Sequence, residues 1–341
     1  MPLFSNSREL DETITRPSDQ VLNALDRCPG RITILGAGGK MGFHLSRMLQ
    51  RGLIELERED QLLAVSRFSS TDSLRSFQQA GISTQTADLC NPEEVASIPL
   101  TPWVFFLAGV KFGTTNHPEL LTRMNSEMPR LVAEHFTDST IVAMSTGCVY
   151  SFANVSSGGS TETDATAPPG DYARSCLDRE TAFTQGSSSH GTRCCLIRLN
   201  YSIDLRYGVL LDIAKQVRDN VPVNLETGYV NVIWQGDAIE QIIQAVTLAD
   251  TPPQILNITG SETVSVREIA LAFGKRLNRS PKFSGVESES CWLSNNQKAC
   301  NLLGPPTTSL EQMLDWISAW LIAGRPTLNK PTHFQTRDGL Y

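Results

Sequence analysis

The stretch Arg31-Ile32-Thr33-Ile34-Leu35-Gly36-Ala37-Gly38-Gly39-Lys40-Met41-Gly42 joins an apolar run to a glycine-rich turn. The apolar run predicts a buried β-strand, and the residues after the turn have the spacing of an amphipathic helix. Gly36, Gly39 and Gly42 follow the pattern G-x-x-G-x-x-G. Glycines at this spacing allow a tight turn, the approach of a pyrophosphate to the backbone, and close packing of helix on sheet. The stretch therefore predicts a nucleotide-binding strand–turn–helix unit.

Further short apolar runs alternate with helical patterns along the chain. Helix starts such as Asn91-Pro92-Glu93-Glu94 carry an asparagine cap and a proline in the first turn. Strands that are apolar throughout belong to parallel sheets covered by helices on both faces. We therefore predict an α/β protein, a Rossmann doubly wound parallel sheet with a smaller C-terminal α/β lobe. The predicted strands cover residues 31–35, 62–65, 103–107, 141–144 and 195–199, and one predicted helix covers residues 120–136.

The pattern divides the chain into four parts. Residues 1–29 form an N-terminal arm with a short helix after Pro17-Ser18-Asp19, and residues 30–200 form the NAD(P)-binding Rossmann domain. Residues 201–322 form mainly the substrate lobe, with capping-box helix starts at Ser265 and Ser309. Residues 151–170, rich in Ser, Thr, Gly and Pro, are predicted to be an irregular loop. The tail, residues 323–341, is expected to be a surface arm, with entry into the site as the alternative.

Composition excludes several function classes. The 341-residue chain has a formal net charge of -7, which argues against nucleic acid as its main partner. It has no apolar run of membrane-spanning length and no visible signal peptide. Its eight cysteines show neither metal-ligand spacing nor a compact disulfide framework, so reduced thiols in a cytoplasmic protein are expected. The expected partner is a small-molecule substrate.

The glycine loop and the end of the second strand predict the nature of the cofactor. The loop residues and the helix N-terminus behind them can hold phosphates; they are Gly36, Gly38, Gly39, Lys40, Met41 and Gly42. The second strand ends in Ser66-Arg67-Phe68-Ser69, without the acidic residue typical of NAD binders. An arginine there suits the 2′-phosphate of NADP, and Lys40 can add to it, so NADP is favoured over NAD. The alternative is that Arg67 is a solvated surface charge.

The segment Asp171-Tyr172-Ala173-Arg174-Ser175-Cys176 resembles the Tyr-x-x-x-Lys active-site helix of short-chain dehydrogenase/reductases, with Cys176 in place of the lysine. With the glycine loop and Ser145-Thr146-Gly147-Cys148-Val149-Tyr150, the chain from about residue 30 to 322 resembles the extended family, the NAD-dependent epimerase/dehydratase group. The resemblance implies that Thr146 contacts the substrate oxygen, that Tyr172 exchanges a proton, and that Asn125 supports the active site. The cofactor positions it implies are Asp88 and Leu89 at the adenine, Leu107, Ala108 and Gly109 beneath the ribose and diphosphate, and Asn200 beside the nicotinamide. Structural roles for Asn125 and Asn200 remain open alternatives.

The missing lysine leaves three hypotheses about activity. A free tyrosine has a pKa of about 10, and a neighbouring ammonium lowers that value by favouring the phenolate. A neutral thiol at Cys176 adds no such charge. The first hypothesis is an NAD(P)-dependent oxidoreductase, epimerase or dehydratase with a rewired proton relay, to which a cation such as Lys111 contributes. The second is a cofactor-binding protein with little or no catalysis. The third is a carbonyl reductase in which neutral Tyr172 donates the proton.

The resemblance also implies the assembly and the place of the substrate. A homodimer is expected through the helices that begin near His117 and Tyr172. The substrate is expected between the two lobes, near Thr146, Tyr172 and Asn200, and a sugar or sugar nucleotide is the usual substrate of the family. No metal site is expected.

Overall fold

A seven-stranded parallel sheet forms the centre of the computed structural model, which describes residues 4–58, 61–111 and 118–337. The strand order is β7-β6-β5-β4-β1-β2-β3, and every neighbouring pair is parallel. The predicted doubly wound Rossmann sheet is therefore confirmed. The strands are β1 (Ile32–Leu35), β2 (Leu62–Ser66), β3 (Ser83–Thr86), β4 (Trp103–Phe106), β5 (Thr140–Thr146), β6 (Arg193–Leu199) and β7 (Gln254–Ile258).

Helices cover both faces of the sheet and build the second lobe. They are α1 (Ser7–Ile14), α2 (Asp19–Asp26), α3 (Gly42–Glu55), α4 (Thr71–Gln79), α5 (Pro92–Ala96), α6 (Pro118–Thr122), α7 (Met128–His135), α8 (Gly170–His190), α9 (Val209–Arg218), α10 (Gln235–Gln244), α11 (Val266–Leu277), α12 (Gln297–Leu303) and α13 (Leu310–Ile322). The helix starts predicted at Ser18, Asn91, Ser265 and Ser309 all have side-chain caps at those residues. A polar side chain that accepts an N–H of the first turn satisfies a donor that the helix itself leaves unpaired.

Four short strand pairs complete the smaller lobe and its junction with the sheet. Residues 151–170, predicted to be irregular, supply one of these strands and a 3-10 turn at Val155–Ser157. Two pairs are antiparallel, Ala153–Asn154 with Ser290–Cys291 and Tyr229–Val230 with Val264–Ser265. Two pairs are parallel, Ser202–Ile203 with Ile233–Trp234 and Val223–Asn224 with Phe283–Ser284.

Neighbouring residues of β4 show how the sheet separates two apolar cores. Phe105 belongs to the larger core, which joins β1, the N-terminal helices and the C-terminal lobe. Phe106 belongs to the smaller core beneath α7 and α8, where its ring meets Phe183 edge-on with a centroid separation of 5.0 Å. Because successive side chains of a strand point to opposite faces, a strand buried on both sides must be apolar at every position.

The segment predicted as one helix over residues 120–136 is interrupted by a π-helical turn. The turn covers Arg123–Glu127, between α6 and α7. It holds Asn125, whose side chain is fully buried. Single π-helical turns inside helices frequently lie at functional sites, since the extra residue rotates a side chain out of the regular helical register.

The end of the described tail packs against the body, whereas residues 323–331 are mostly exposed. Phe334 is buried, and the hydroxyl of Thr332 donates to Asp212 Oδ2 at 2.7 Å. Arg337 donates to the carbonyl of Ser290 at 2.7 Å. The surface arm expected for the tail therefore describes residues 323–331 better than residues 332–337, and residues 338–341 lie outside the described part of the chain.

Two features of the described surface concern membranes and assembly. No helix among the described residues is long and apolar enough to cross a bilayer. The described exposed positions of α7 and α8, such as Arg130, Glu134, Asp171 and Arg174, are polar. A homodimer through these helices would therefore be a polar contact, and it stays a prediction. His117, near which the first of these helices was expected to begin, lies outside the described residues.

Breaking the buried ion pair of Glu180 with Arg198 should strongly destabilise the protein. Arg198 donates to both carboxylate oxygens at 2.9 and 2.7 Å, and both side chains are less than 10% exposed. Replacing Arg198 by Met leaves an unpaired buried carboxylate, so we expect a loss of about 3–5 kcal/mol in the free energy of unfolding. Urea denaturation measures this loss.

The exposed pair of Arg130 with Glu134 supplies the control for that measurement. Arg130→Ala should cost less than about 1 kcal/mol, because exposed pairs are screened by water. Equal effects of the two substitutions would contradict the role assigned to burial.

Candidate active site

Two adjoining cavities lie at the carboxyl ends of the strands and share Gly39, Leu107 and Gly109 as a common wall. The larger cavity has a volume of about 350 Å³ and extends to the C-terminal lobe. The smaller one has a volume of about 230 Å³ and lies between the ends of β1, β2 and β4. Open parallel sheets bind ligands in this position, where neighbouring strands connect in opposite directions.

Close approach of two backbones forms the floor of this crevice. Gly36 has a φ of +80°, and an added Cβ would lie 2.5 Å from the backbone nitrogen of Ala108. At Gly42, where α3 begins, an added Cβ would overlap the carbonyl of Ala37. The glycines therefore permit both the turn and the tight contact between the loop and β4. The N-terminus of α3 is left facing the cavities, where its positive dipole end favours an anion.

The smaller cavity collects the residues predicted for the adenosine end. It is lined by Gly36, Gly38, Arg67, Asp88, Leu89 and Ala108. Arg67 is exposed, beside serines 66, 69, 70 and 73. The Oδ1 atom of Asp88 accepts the N–H of Cys90 at 3.0 Å, and Asp88 also lies 3.4 Å from Arg123. A cation and several hydroxyls therefore surround one side of this cavity.

Lys40 lies in the larger cavity with Met41 and Gly42, and does not line the cavity that holds Arg67. Its ammonium lies over the ring of Tyr207, 2.8 Å from the ring centroid. Although the residue as a whole stays accessible, loss of water around the ammonium lowers the pKa of Lys40 to about 7. The structure thus separates Lys40 from Arg67, which we had expected to act together on a 2′-phosphate.

Thr146 and Tyr172 line the same cavity, together with Asn200. Thr146 ends β5, and its Oγ1 accepts the N–H of Cys148 at 3.2 Å, which leaves its hydroxyl hydrogen available to another acceptor. Asn200 is buried and donates to Asn231 Oδ1 at 2.8 Å and to the carbonyl of Trp292 at 3.2 Å. The predicted proton-transfer and substrate-contacting residues are therefore brought together, and Asn200 is held by the C-terminal lobe.

The surroundings of Tyr172 favour a neutral phenol in the ligand-free protein. Burial raises the pKa of Tyr172 well above its ordinary value, and the neighbouring thiols of Cys176 and Cys148 add to this effect. Cys176 is fully buried and shares a side-chain hydrogen bond with Tyr172. Burial likewise raises the pKa of the Cys176 thiol. A neutral, inert thiol therefore stands where the resemblance would place an ammonium.

Lys111 approaches Tyr172 from the loop after β4. Its Nζ lies 5.4 Å from the centroid of the Tyr172 ring, within the range of a cation–π interaction. Burial lowers the pKa of Lys111. The sequence order alone had suggested this lysine as a cation that enters the site, and the structure shows it lining the cavity.

Asn125 does not line either cavity, and its amide is used entirely within the protein. Its Nδ2 donates to the carbonyl of Val110 at 3.0 Å and to Ser175 Oγ at 2.9 Å. Its Oδ1 accepts the N–H of Val110 at 3.1 Å and Nη2 of Arg179 at 2.5 Å. Asn125 thus joins the loop after β4 to α8, as the open structural alternative has it, and its support of the active site stays a prediction.

Several cavity residues were missed by the sequence analysis. Arg179, on the same helix face as Tyr172, could have been found from its helical spacing. Thr332 comes from the tail, and its place in the lining agrees with the alternative expectation that the tail enters the site. Gln235 is buried and bonds to His44 Nδ1 at 2.5 Å, while its Oε1 has no partner among the described residues. The missed lining residues include Arg179, Tyr201, Tyr207 and Gln235.

Comparisons with known proteins agree with this geometry. No protein-family model and no curated protein matches the sequence. Among solved structures, the UDP-glucose 4-epimerase of Thermus thermophilus in complex with NAD superposes with a TM-score of 0.68 at 17% identity, over 84% of this chain and 97% of that chain. The UDP-glucuronic acid 4-epimerase of Bacillus cereus in complex with NAD gives 0.68 at 17% identity, over 86% and 99%. A UDP-galactose 4-epimerase gives 0.67 at 22% identity, over 86% and 99%. The fold expected from the resemblance is thereby confirmed: this chain has the fold of these 4-epimerases.

Gly36→Ala tests whether the loop contact builds the nucleotide site. The added methyl group would crowd the backbone of Ala108 and strain a left-handed residue, so we expect at least a tenfold weaker binding of NAD or NADP. Isothermal titration calorimetry measures the affinity.

Gly191→Ala is the matched control for this substitution. Gly191, at the end of α8, also has a left-handed φ, +74°, with a ψ of 13°, but an added Cβ would meet nothing within 4 Å. It should cost about 1–2 kcal/mol of stability and leave dinucleotide binding unchanged. Equal losses of affinity in the two variants would show that the loop contact is not specific to the site.

Proposed function

We propose that this protein is an NAD(P)-dependent oxidoreductase of the epimerase/dehydratase kind that acts on a hydroxyl or carbonyl group of a small polar substrate. The observation that carries the proposal is the meeting of Thr146 and Tyr172 in a cavity that continues into the glycine-loop crevice. A proton-transferring phenol beside a dinucleotide site is the arrangement that interconversion of a hydroxyl and a carbonyl group requires, since a hydride is transferred at the carbon and a proton at its oxygen.

The residues present fit a nicotinamide dinucleotide. The glycine loop and the N-terminus of α3 would hold the pyrophosphate, since no side chain separates the backbone from the crevice. Arg67, Asp88 and Leu89 would enclose the adenosine end, and Leu107, Ala108 and Gly109 would lie beneath the middle. When bound there, the nicotinamide supplies a hydride donor or acceptor. The solved structures of similar fold that contain NAD support this class of cofactor.

The roles of the protein groups follow from their hydrogen bonds and charge. Thr146 would donate its hydroxyl hydrogen to the substrate oxygen while Oγ1 stays fixed by the N–H of Cys148. Tyr172 would donate a proton to a carbonyl oxygen or accept one from a hydroxyl group. Because its pKa is raised in the ligand-free protein, proton donation by the neutral phenol is the favoured direction, and acceptance needs a nearby positive charge.

The charge of the larger cavity supports an anionic substrate. Lys40, Lys111 and Arg179 line it, and its described lining contains no aspartate or glutamate. Burial lowers the pKa of both lysines, and a bound phosphate or carboxylate group would favour their charged forms, so this lining suits an anion. The solved structures of similar fold include complexes titled with UDP-glucuronic acid and UDP-glucose. We therefore propose a sugar nucleotide as the substrate class to test first.

The alternative is an NAD(P)-binding sensor or partner subunit with little or no catalysis. The neutral Cys176 beside Tyr172 is the observation that favours it. Turnover distinguishes the two functions. The purified protein is incubated with NAD or NADP, in oxidised or reduced form, and a panel of sugar nucleotides, keto acids and aldehydes. Tight cofactor binding without any change in cofactor absorbance or in the sugar nucleotides would favour the alternative.

Tyr172→Phe should lower kcat about a hundredfold or more and leave cofactor affinity unchanged, because it removes only the group that transfers the proton. Steady-state kinetics on the substrate found by the panel measure the loss. Tyr229→Phe, at a short strand pair away from both cavities, is the control and should keep full activity. Unchanged activity of the Tyr172 variant would remove this residue from the mechanism.

Arg67→Ala should weaken NADPH binding about tenfold to a hundredfold and change NADH binding little. The expected difference is the loss of a charge-assisted hydrogen bond to the 2′-phosphate. Fluorescence titration with both reduced cofactors measures it. Arg75→Ala, an exposed arginine on the neighbouring α4, is the matched control. An equal loss for both cofactors would argue against the preference for NADP.

A further inference from the structure

The guanidinium of Arg179 is a buried cation that the chemistry above does not use. The residue is 6% exposed, and it lines the same cavity as Tyr172. Nη1 donates to the carbonyl of Met144 at 2.9 Å, and Nη2 donates to Asn125 Oδ1 at 2.5 Å. Its Nε is buried and has no acceptor among the described residues. Two neutral oxygens therefore hold this cation in place.

No carboxylate neutralises this charge within the described part of the chain. Arg179 forms no ion pair there, and the adjacent Glu180 is already bonded through both oxygens to Arg198. A buried charge without a counterion is costly, because the protein interior replaces its water poorly. A neutral hydrogen-bond donor would be enough for a purely structural role. The charge of Arg179 therefore indicates an electrostatic role in the cavity.

The position of Arg179 on α8 directs its charge toward Tyr172. Tyr172, Cys176 and Arg179 follow the spacing i, i+4 and i+7, so they share one face of the helix. Side chains on a helix lean toward its N-terminus, which brings the long arginine side chain back over the turn that carries Cys176. The positive charge of Arg179 lowers the pKa of both Tyr172 and Cys176, against the larger effect of burial.

We propose that Arg179 is a positioning residue that supplies, from one turn further along α8, the fixed positive charge that Cys176 cannot supply, and that it thereby favours the phenolate of Tyr172. Gly109 makes this arrangement possible, since an added Cβ there would overlap Nη2 of Arg179. The proposal rests on the proposed function for the role of Tyr172. It adds that the helix of Tyr172 still places a positive charge near the phenol, from position 179 and not from position 176.

The other groups that face Tyr172 do not fill this role. Cys176 on its own helix and Cys148 after β5 raise the pKa of Tyr172. Lys111, from the loop after β4, brings an ammonium to the ring, but burial lowers the pKa of Lys111, so its charge depends on pH. A guanidinium stays protonated at every pH that the protein tolerates. Arg179 is therefore the permanent charge in the set.

A charge-relocation experiment tests the proposal. Arg179→Met removes the charge, Arg179→Lys keeps it, and Cys176→Lys combined with Arg179→Met returns it to the family position. Arg174→Met is the matched control, since Arg174 lies on the same helix, exposed and paired with Asp171 at 2.7 Å. A fluorinated tyrosine at position 172 has a phenol that ionises at a lower pH than that of tyrosine. ¹⁹F NMR measures this ionisation in each full-length, ligand-free variant.

Removal of the charge should raise the pKa of the fluorinated phenol, because the neutral form is then favoured. Oxidation of a substrate hydroxyl needs the phenolate, so its rate should fall about a hundredfold near neutral pH, mostly through kcat. The pH at which this rate increases should also be higher than in the parent protein. Arg179→Lys and the double variant should restore both readouts at least in part. Arg174→Met should change neither.

The proposal is overturned if folded Arg179→Met keeps the phenol titration of the parent, or if the double variant titrates like Arg179→Met. Circular dichroism establishes folding. If Arg179→Met does not fold, Arg179→Gln, which retains amide donors for Asn125 and Met144, gives the same comparison. The NMR titration needs no turnover. Absence of activity on every substrate would therefore count against the proposed function and leave this titration to decide the role of Arg179.

Discussion

The contact between the backbones of Gly36 and Ala108 is the constraint on which the site depends. It joins the ends of β1 and β4, the two central strands, at a distance that admits no Cβ. This closeness leaves backbone N–H groups and the N-terminus of α3 as the surface of the crevice, and it places Leu107 and Gly109 between the two cavities. A larger residue at position 36 would separate the loop from the sheet and fill the space that a pyrophosphate needs.

The helix α8 connects this crevice to the rest of the molecule through charges that point inward. Arg179 holds Asn125 and, through it, the loop after β4, while Glu180 accepts from Ser145 Oγ and pairs with Arg198. The bond to Ser145 fixes the end of β5 beside Thr146, and Arg198 extends the network to Tyr150. Burial of these groups is tolerated because each charge has several partners, and the same partners set the position of Tyr172.

Much of the fold could be predicted from apolar runs and helix caps, and the failures have physical causes. The edge strand β3 was missed because it is polar and at least partly exposed, so it carries no apolar run. The π-helical turn at Asn125 was missed because it changes the register of a helix without changing its composition. In the site, the glycine loop, Thr146 and Tyr172 were found from local motifs. Arg179 was not assigned a role, because its importance depends on what surrounds it.

The sequence by itself determined the strand–turn–helix unit, the parallel sheet and the absence of a lysine four residues after Tyr172, because these follow from local spacing and residue type. Only the tertiary structure decided where the positive charges lie. The ammonium of Lys40 lies over the ring of Tyr207, and that of Lys111 lies near the ring of Tyr172. Arg179 is buried without a carboxylate partner among the described residues. Electrostatic effects depend on distance and on exclusion of water, and both are set by packing between segments far apart in the chain.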